Sequence, residues 1–397
     1  MEATSRVDDG IDESIRLPNI GLALSGGGVR AAVFHLGVLR CLAEHGVMER
    51  VTHLSTVSGG SLIVAAVMTT SEMNWPGSRN YLENVYPALK QLLKTRDLFS
   101  LGALGVRGLI RQNIRLLNKR ADILVDLLRQ QWKISGRLKD LPETPVWWIN
   151  ATCLETGKSW RFSKREMGDW QFGRHYEPPF GLAQAVAASA AVPYAIGALR
   201  FQLPQAGWYA TDPATGQPLH GIKPPLAAVH LWDGGVYENL GLESLYKVDQ
   251  GLVGCDFLIC SDASGPLSTM RTKSRFGEIL RGRLASPRLF SICGDQIRSL
   301  RSRMFVGALG RGEVQGVLLR MGNSTRNLDI KSGRAAAPEE YDGALSEDDV
   351  AAAATHPTDL GALPIAAFDR ITRHGYEVAE RTLTTYSPKY FNPKYFK

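Results

Sequence analysis

Ser58 stands between a β-branched run, Val51 to Val57 (VTHLSTV), and an apolar run, Ser61 to Thr70, and Gly59 and Gly60 follow it directly. That arrangement suits a nucleophile elbow, a strand-to-helix turn whose small neighbours let strand and helix nearly touch while the serine hydroxyl is held at the tip. The general pattern is G-x-S-x-G. Here it reads Thr56-Val57-Ser58-Gly59-Gly60, so the last glycine is kept and Thr56 replaces the first. A serine hydroxyl is inert without a base. Asp233 is the candidate, because it follows the run AAVHLW and precedes Gly234 and Gly235, a tight turn able to hold a carboxylate at the same sheet edge. No sequence feature nominates a histidine, and His53 and His230, on expected strands, read as core or surface residues. Gly26 to Ala31 formally matches the dinucleotide pattern G-x-G-x-x-A. That reading wants an acid about 20 residues on, at the end of the second strand, to hold a ribose hydroxyl. The second strand ends in Ser58 instead, and no Gly-Lys-Ser/Thr sequence in this turn supports a nucleoside triphosphate.

The elements around these residues repeat one plan. Asn19 to Leu24 is a short apolar run that ends in Ser25-Gly26-Gly27-Gly28, and Arg30 to His45 then shows helical periodicity. Val51 to Val57 followed by Ser61 to Thr70 is a second strand, glycine turn and helix. Two such units imply a parallel sheet with helices on its faces, whose ligands bind at the carboxyl ends of the strands. Further strands are expected at Val146 to Thr152, Leu199 to Leu203, Ala227 to Trp232 and Phe257 to Cys260, with Leu203 to Pro225 as loop. Leu93 to Lys133 reads as a helical insertion, with Arg107, Arg111, Arg115 and Lys119 recurring beside an apolar stripe. Leu363 to Thr384 reads as a last helix with a break at Gly375. No repeat or composition shift marks a linker. The expected organisation is an extension over residues 1–18, one domain over 19–386 carrying the insertion at about 93–133, and a tail over 387–397.

Composition bounds the function. The 397 residues are 44% hydrophobic and 21% charged, as in an ordinary globular chain able to bury a core. The apolar run Leu62 to Met68 is far short of the ~20 residues that cross a bilayer. The first residues carry acids where an export signal would be basic and apolar, so a cytoplasmic location is expected. Five scattered cysteines without a C-x-x-C pair argue against a disulfide framework or a zinc site. The net charge of +7 is unevenly spread: Arg271 to Arg303 holds nine basic residues against Glu278 and Asp295, whereas Pro338 to Val350 holds six acids and no base. Such a basic stretch suits an anionic lipid surface or nucleic acid, and no zinc-finger spacing or RNP-like run supports the latter. The ending repeats Pro388-Lys389-Tyr390-Phe391 as Pro393-Lys394-Tyr395-Phe396, a mixture of rings and cations suited to a headgroup layer.

Four groups occur in order: Gly26-Gly27-Gly28-Val29-Arg30, Val57-Ser58-Gly59-Gly60-Ser61, Ala188-Ser189-Ala190-Ala191-Val192-Pro193 and Asp233-Gly234-Gly235. In these the chain resembles the patatin-like phospholipase family, from about Ile20 to the last helix. The resemblance implies a three-layer α/β fold, with a mostly parallel central sheet and helices on both faces. It implies Ser58 as nucleophile and Asp233 as its base without a histidine, the N–H groups of Gly26, Gly27 and Gly28 as oxyanion hole, and Arg30 beside it. It further implies hydrolysis of acyl esters of phospholipids or lysophospholipids, with no metal or organic cofactor, and the basic stretches and tail add an anionic membrane surface as the expected partner. Two residues depart from the family pattern: Ser25 where many members have Asp, and Thr56. A non-catalytic membrane-binding or signalling module on the same fold and a nucleotide-binding oxidoreductase are the rival expectations. The physical requirement on the first reading is specific. A free carboxylate titrates near pH 4 and is a poor base at neutrality, so Asp233 must be partly desolvated or in direct contact with the serine hydroxyl.

Overall fold

Ile20 to Leu24 is apolar and buried along its whole length, the pattern of a strand covered on both faces. The computed structural model describes residues 17–96, 120–193, 196–212, 215–267, 285–358 and 360–391. Its main sheet has twelve strands: β1 (Ile20–Leu24), β2 (Val51–Val57), β3 (Val146–Cys153), β4 (Ser159–Phe162), β5 (Glu166–Asp169), β6 (Gly173–Tyr176), β7 (Leu199–Gln202), β8 (Trp208–Thr211), β9 (Pro218–Ile222), β10 (Ala228–Asp233), β11 (Phe257–Asp262) and β12 (Gly316–Arg320). The spatial order is β12-β11-β1-β2-β3-β4-β5-β6-β8-β9, with β10 paired to both β3 and β7. From β12 to β3 every pairing is parallel; beyond β3, and around β10, every pairing is antiparallel. The sheet is thus mixed, with a parallel centre flanked by helices.

The helices used below are α1 (Gly28–Glu44), α2 (Gly59–Thr70), α3 (Tyr86–Thr95), α4 (Arg120–Gln131), α5 (Leu182–Ser189), α6 (Ala285–Gly310), α7 (Thr325–Ser332), α8 (Glu347–Thr355), α9 (Ile365–Tyr386) and α10 (Pro388–Phe391). Strand alternation divides the parallel centre between two cores. Ile20, Leu22, Leu24, Phe257 and Ile259 pack with α1, α2 and α9 on one face. Ala23, Leu258 and Cys260 pack on the other with Leu240, Leu245 and Phe305, the last from α6. This is the three-layer arrangement expected, since side chains one residue apart on a strand point to opposite faces.

Three expectations need correction. Gly375 does not break the last helix: a Cβ there would collide with the backbone of Phe34, and one at Gly37 with the backbone of Thr372, so both glycines let α1 and α9 pack closely. Leu203 to Pro225 is not all loop, since β8 and β9 lie inside it and extend the antiparallel edge. The first repeat of the tail is not free to meet a membrane. Pro388–Phe391 is a helical turn, and Phe391 is fully buried against Phe257, with the Arg50 guanidinium 5.7 Å from its ring centroid. Phe257 begins β11, so this contact lies at the amino edge of the sheet, opposite the edge where the glycine turns sit. The second repeat, the cationic face Arg107 to Lys119 and the basic residues Arg271 to Arg283 lie outside the described residues.

Candidate active site

Strand pairing brings Ser58 and Asp233 together. β2 runs parallel to β3 and its last residue, Val57, pairs with Asn150. β10 runs antiparallel along β3 and its last residue, Asp233, pairs with the next one, Ala151. Because β4 occupies the other side of β3 there, β2 and β10 lie end to end on one side, carboxyl end facing carboxyl end. Residues 175 apart in sequence therefore meet at consecutive positions along a third strand.

The turn after β2 is an elbow. Ser58 has φ 48° and ψ −112°, a conformation rarely adopted by a non-glycine residue, which persists only where the surroundings enforce it. Its carbonyl accepts the N–H of Leu62, which starts α2, and its N–H donates to Ser189 Oγ at 3.0 Å. A Cβ on Gly59 would strike the Gly28 carbonyl, and one on Gly60 the Leu24 carbonyl, so both positions require glycine for close approach to β1 and α1. Ser189 Oγ is in turn 2.8 Å from Ser61 Oγ, which is 2.7 Å from Thr56 Oγ1, and the Trp147 indole N–H donates to Thr56 at 2.9 Å. The threonine that replaces the elbow's first glycine is thus part of a buried hydroxyl chain that holds the Ser58 backbone.

Asp233 is 5% exposed. Its Oδ1 accepts the Gly235 N–H at 2.7 Å. Burial pushes the carboxyl from 3.8 up to about 6, against the Gly235 N–H and the neighbouring Ser58 side chain, which hold it down. The Asp233 N–H donates to the Ala191 carbonyl at 3.0 Å, and its own carbonyl accepts the Thr152 hydroxyl at 2.9 Å. The Ala188 to Pro193 segment therefore grips both residues, Ser58 through Ser189 and Asp233 through Ala191.

The glycine turn after β1 meets this pair. Gly27 and Gly28 have φ 139° and 62°, values that need glycine, and α1 begins at Gly28 with its positive end towards the pocket. Gly26 departs from expectation, because its N–H donates to the Asn239 carbonyl at 3.0 Å and is not available to an oxyanion. Among the described residues, the N–H groups of Gly27 and Gly28 have no such partner. Arg30 is also otherwise engaged. It is buried, with Nη1 donating to the carbonyls of Ala354 and His356 and Nη2 to that of Ala263, so it pins α1 to the end of α8 and the loop after β11.

Ser58, Asp233, Gly26, Gly27, Gly28 and Arg30 all line one cavity of about 400 Å³. Val192 and Pro193 contribute apolar wall, and α6 closes one side through Phe290, Gly294, Asp295 and Arg298. No histidine lines it among the described residues. His230 pairs with Glu155 at 2.8 Å, His53 sits near the start of β2, and His374 accepts the Gly322 N–H. His35 lies beneath the glycine turn, between the Ser25 carbonyl and Ser261 Oγ, each at 3.0 Å, and burial lowers its pKa to about 4.

Sequence reasoning passes over three contributors. Asn239 fills the space that a Cβ at Gly26 or Gly235 would take, so it sets the spacing between the two glycine turns; it lies six residues beyond Asp233, with no pattern of its own. Ser189 lies within a quoted group but announces no role, because its partner is a backbone N–H 131 residues away. Arg298, within the basic stretch, is held by Asp262 and Asp295 at 3.0 and 2.5 Å.

A mixed sheet whose parallel centre presents an elbow serine, a buried aspartate and a glycine-rich helix start at its carboxyl edge defines an α/β protein with a hydrolase-type pocket. The family is settled by sequence: the model of the patatin-like phospholipase family matches residues 22–246, more than half of the chain, and the chain belongs to that family. No curated protein matches it by sequence. In structure it is similar to human GIVD cytosolic phospholipase A2, at 15% identity and a TM-score of 0.56 over 93% of this chain and 59% of that one. The same human protein in complex with methyl gamma-linolenyl fluorophosphonate matches at 14% identity and a TM-score of 0.53, over 93% and 58%. At such identities the likeness is one of fold, and the chain spans less than two thirds of the human protein's length.

Proposed function

We propose that this protein is a serine acyl hydrolase that cleaves acyl esters of phospholipids or lysophospholipids through a Ser58/Asp233 dyad. The observation that carries the reading is the convergence on one cavity of the elbow serine Ser58, the buried Asp233 carboxylate and the Gly27 and Gly28 N–H groups, which have no partner among the described residues. Ser58 Oγ attacks the ester carbonyl while its proton passes to Asp233. The carbonyl oxygen takes up the negative charge beside the Gly27 and Gly28 N–H groups and the start of α1, and losing one such donor typically costs about 100- to 1000-fold in rate. As the carbonyl re-forms, the ester C–O bond breaks and Asp233 returns the proton to the departing alcohol, leaving an acyl-Ser58. A water then gives its proton to Asp233 and attacks the acyl carbon, and Ser58 leaves with that proton as the fatty acid departs. Asp233 ends ionised, as it began. A carboxyl raised to about 6 suits this alternation better than one at 4, since general acid–base groups work best near the ambient pH.

A lipid surface fits the outer side of α6. That helix lines the pocket with Phe290 and Arg298, while Leu289, Ile292, Leu300 and Met304 are exposed on it beside Arg288 and Arg303. Apolar side chains flanked by cations suit an anionic membrane. Among the described residues no helix is long and apolar enough to cross one. Peripheral docking at the cytoplasmic leaflet is the location proposed.

Intact-mass analysis after treatment with a fluorophosphonate lipid analogue tests the chemistry. One adduct per chain on Ser58, absent from Ser58→Ala, is expected; an unlabelled wild type, or equal labelling of the variant, overturns the reading. For docking, Leu289→Gln/Leu300→Gln is expected to lower sedimentation with anionic liposomes while hydrolysis of a soluble short-chain ester stays unchanged.

A further inference from the structure

Two donors converge on one carboxylate oxygen far from the pocket. Cys41 lies in the last turn of α1 and His45 caps that helix's carboxyl end four residues on, and Glu380 faces them from α9. Cys41 Sγ is 3.4 Å and His45 Nε2 2.5 Å from the same oxygen, Glu380 Oε2, and the three ligand atoms all lie within 4.8 Å of one another. Cys41 is fully buried and His45 is 8% exposed, whereas the Glu380 side chain is 36% exposed and opens the cluster to solvent.

We propose that Cys41, His45 and Glu380 form a binding site for a zinc-like divalent cation. The donor set is one thiolate sulfur, one imidazole nitrogen and one carboxylate oxygen, the ligand types that zinc takes at about 2.0 to 2.3 Å. Tetrahedral ligands at such lengths stand roughly 3.3 to 3.6 Å apart. The sulfur–oxygen distance already meets this, and a small rotation of the half-exposed carboxylate opens the nitrogen–oxygen distance. A fourth position is left for water on the Glu380 side. Charge also balances. The cation displaces the Cys41 proton, so that Cys–SH plus M²⁺ gives Cys–S⁻–M²⁺ plus H⁺, and thiolate and carboxylate together cancel the two positive charges. Without a cation the Cys41 thiol is held protonated, because burial and the neighbouring Glu380 both push its pKa well above the ordinary value. With a cation the cluster becomes a neutral unit suited to its buried setting.

The site would tie α1 to α9. These helices already pack backbone to backbone at Gly37 and Gly375, about one turn before the cluster on α1. The opposite end of α1 carries the glycine turn of the pocket, so the cation would stabilise the helix that presents that turn without touching the reacting groups. C-x-x-C spacing does not announce such a site, because its third ligand lies 335 residues beyond His45.

Cobalt(II) titration of the metal-stripped full chain provides the test. The expected result is one equivalent bound, with a thiolate-to-cobalt charge-transfer band in the near ultraviolet, tetrahedral d–d bands in the visible, and release of about one proton. Zinc should displace the cobalt and raise the Tm. Cys41→Ser should abolish the charge-transfer band. Glu380→Gln, at a half-exposed position, should weaken binding at least ~10-fold, the lower end of what loss of even an outer-shell partner costs. Cys293→Ser, which removes an exposed cysteine, should change nothing. A wild type that binds no cobalt, or binds it without the thiolate band, overturns the proposal, as does a band that survives Cys41→Ser. Should Cys41→Ser fail to fold, the wild-type spectrum and Glu380→Gln still decide. Hydrolysis is not a readout, so the result stands apart from that of the dyad.

Discussion

The parallel centre of the sheet and its antiparallel extension obey different rules. β1 is buried at every position and β2 at most of them, whereas β7 alternates buried and exposed residues and β9 is almost wholly exposed. A strand between two helical layers must be apolar throughout, and its crossovers leave glycine turns at the carboxyl edge. A short antiparallel strand with one wet face keeps only a weak alternation. Yet the function proposed above divides between the two regions. The parallel centre supplies Ser58 and the glycine turn, and the antiparallel strand β10 carries Asp233 to them. Substitutions at the junction should therefore remove activity without unfolding the chain, and substitutions deep in the extension should do the reverse.

The largest effect is expected at the junction itself. Ser58→Ala and Asp233→Asn should each lower kcat/KM on a lysophospholipid by about 10⁴-fold or more, as loss of a nucleophile or its base does elsewhere. Both should remain folded by circular dichroism. Near wild-type turnover by either variant would break the division at its centre.

Ser189→Ala comes next. It removes the acceptor of the Ser58 N–H and one link of the hydroxyl chain to Thr56 and Trp147. Leaving a buried donor unpaired costs roughly 1–3 kcal/mol, which at the elbow should appear as about a 10- to 100-fold fall in kcat with KM little changed. A change confined to KM would place Ser189 in substrate binding instead.

The pH profile sharpens the role of Asp233. With its carboxyl raised to about 6, the ionised base is nearly complete at pH 8 and about one tenth populated at pH 5, so kcat/KM should fall about tenfold along a single-proton limb centred near 6. Stability should respond in the opposite sense. A pKa raised from 3.8 means that the folded state holds this proton more tightly, so the stabilisation from the group is present below about pH 4 and lost as pH rises through 6. Asp233→Asn escapes that loss and should be at least as stable as wild type at pH 8. His35 and His374, lowered by burial to about 4, act the other way and cost stability as pH falls below 6.5, so recovery of activity on return to pH 8 checks the acid points. A limb centred near 4, or a bell requiring a histidine, would refute the dyad.

The same division explains what was legible in the sequence. The glycine turns and the first two strand–helix units are encoded locally, in runs of a few residues whose burial on both faces leaves no ambiguity. Asp233 was readable as a turn aspartate, but the strand that delivers it pairs with residues about 80 positions earlier. β8 and β9 lie in a stretch rich in glycine and proline whose pairing, not composition, makes it sheet. Gly375 looked like a helix break because glycine disfavours helices, and only the opposing backbone of Phe34 shows why it is there. The Gly26 N–H and the Arg30 guanidinium are spent on Asn239, Ala263, Ala354 and His356, partners as far as 326 residues away, so no local pattern separates them from Gly27 and Gly28.

The smallest effect on chemistry is expected deep in the extension. Trp208 on β8 is 1% exposed, and its ring packs on those of Trp160, Phe172 and His175 at centroid distances of 5.2 to 6.0 Å. Removing so large a buried side chain costs about 3–5 kcal/mol, because the aromatic neighbours can collapse only partly into the space. Trp208→Ala should therefore shift the urea midpoint strongly. Asp233, however, is held by β3, by the Ala191 carbonyl and by the Gly235 N–H, and the cluster reaches these supports only through Trp160, whose backbone pairs with Ala151 on the far side of β3. Counted per Ser58 labelled by the fluorophosphonate, turnover should stay within about twofold of wild type, below the effect of a single net hydrogen bond. A larger fall per labelled site would mean that the extension tunes the base rather than merely presenting it, and the two regions would have to be treated as one mechanical unit.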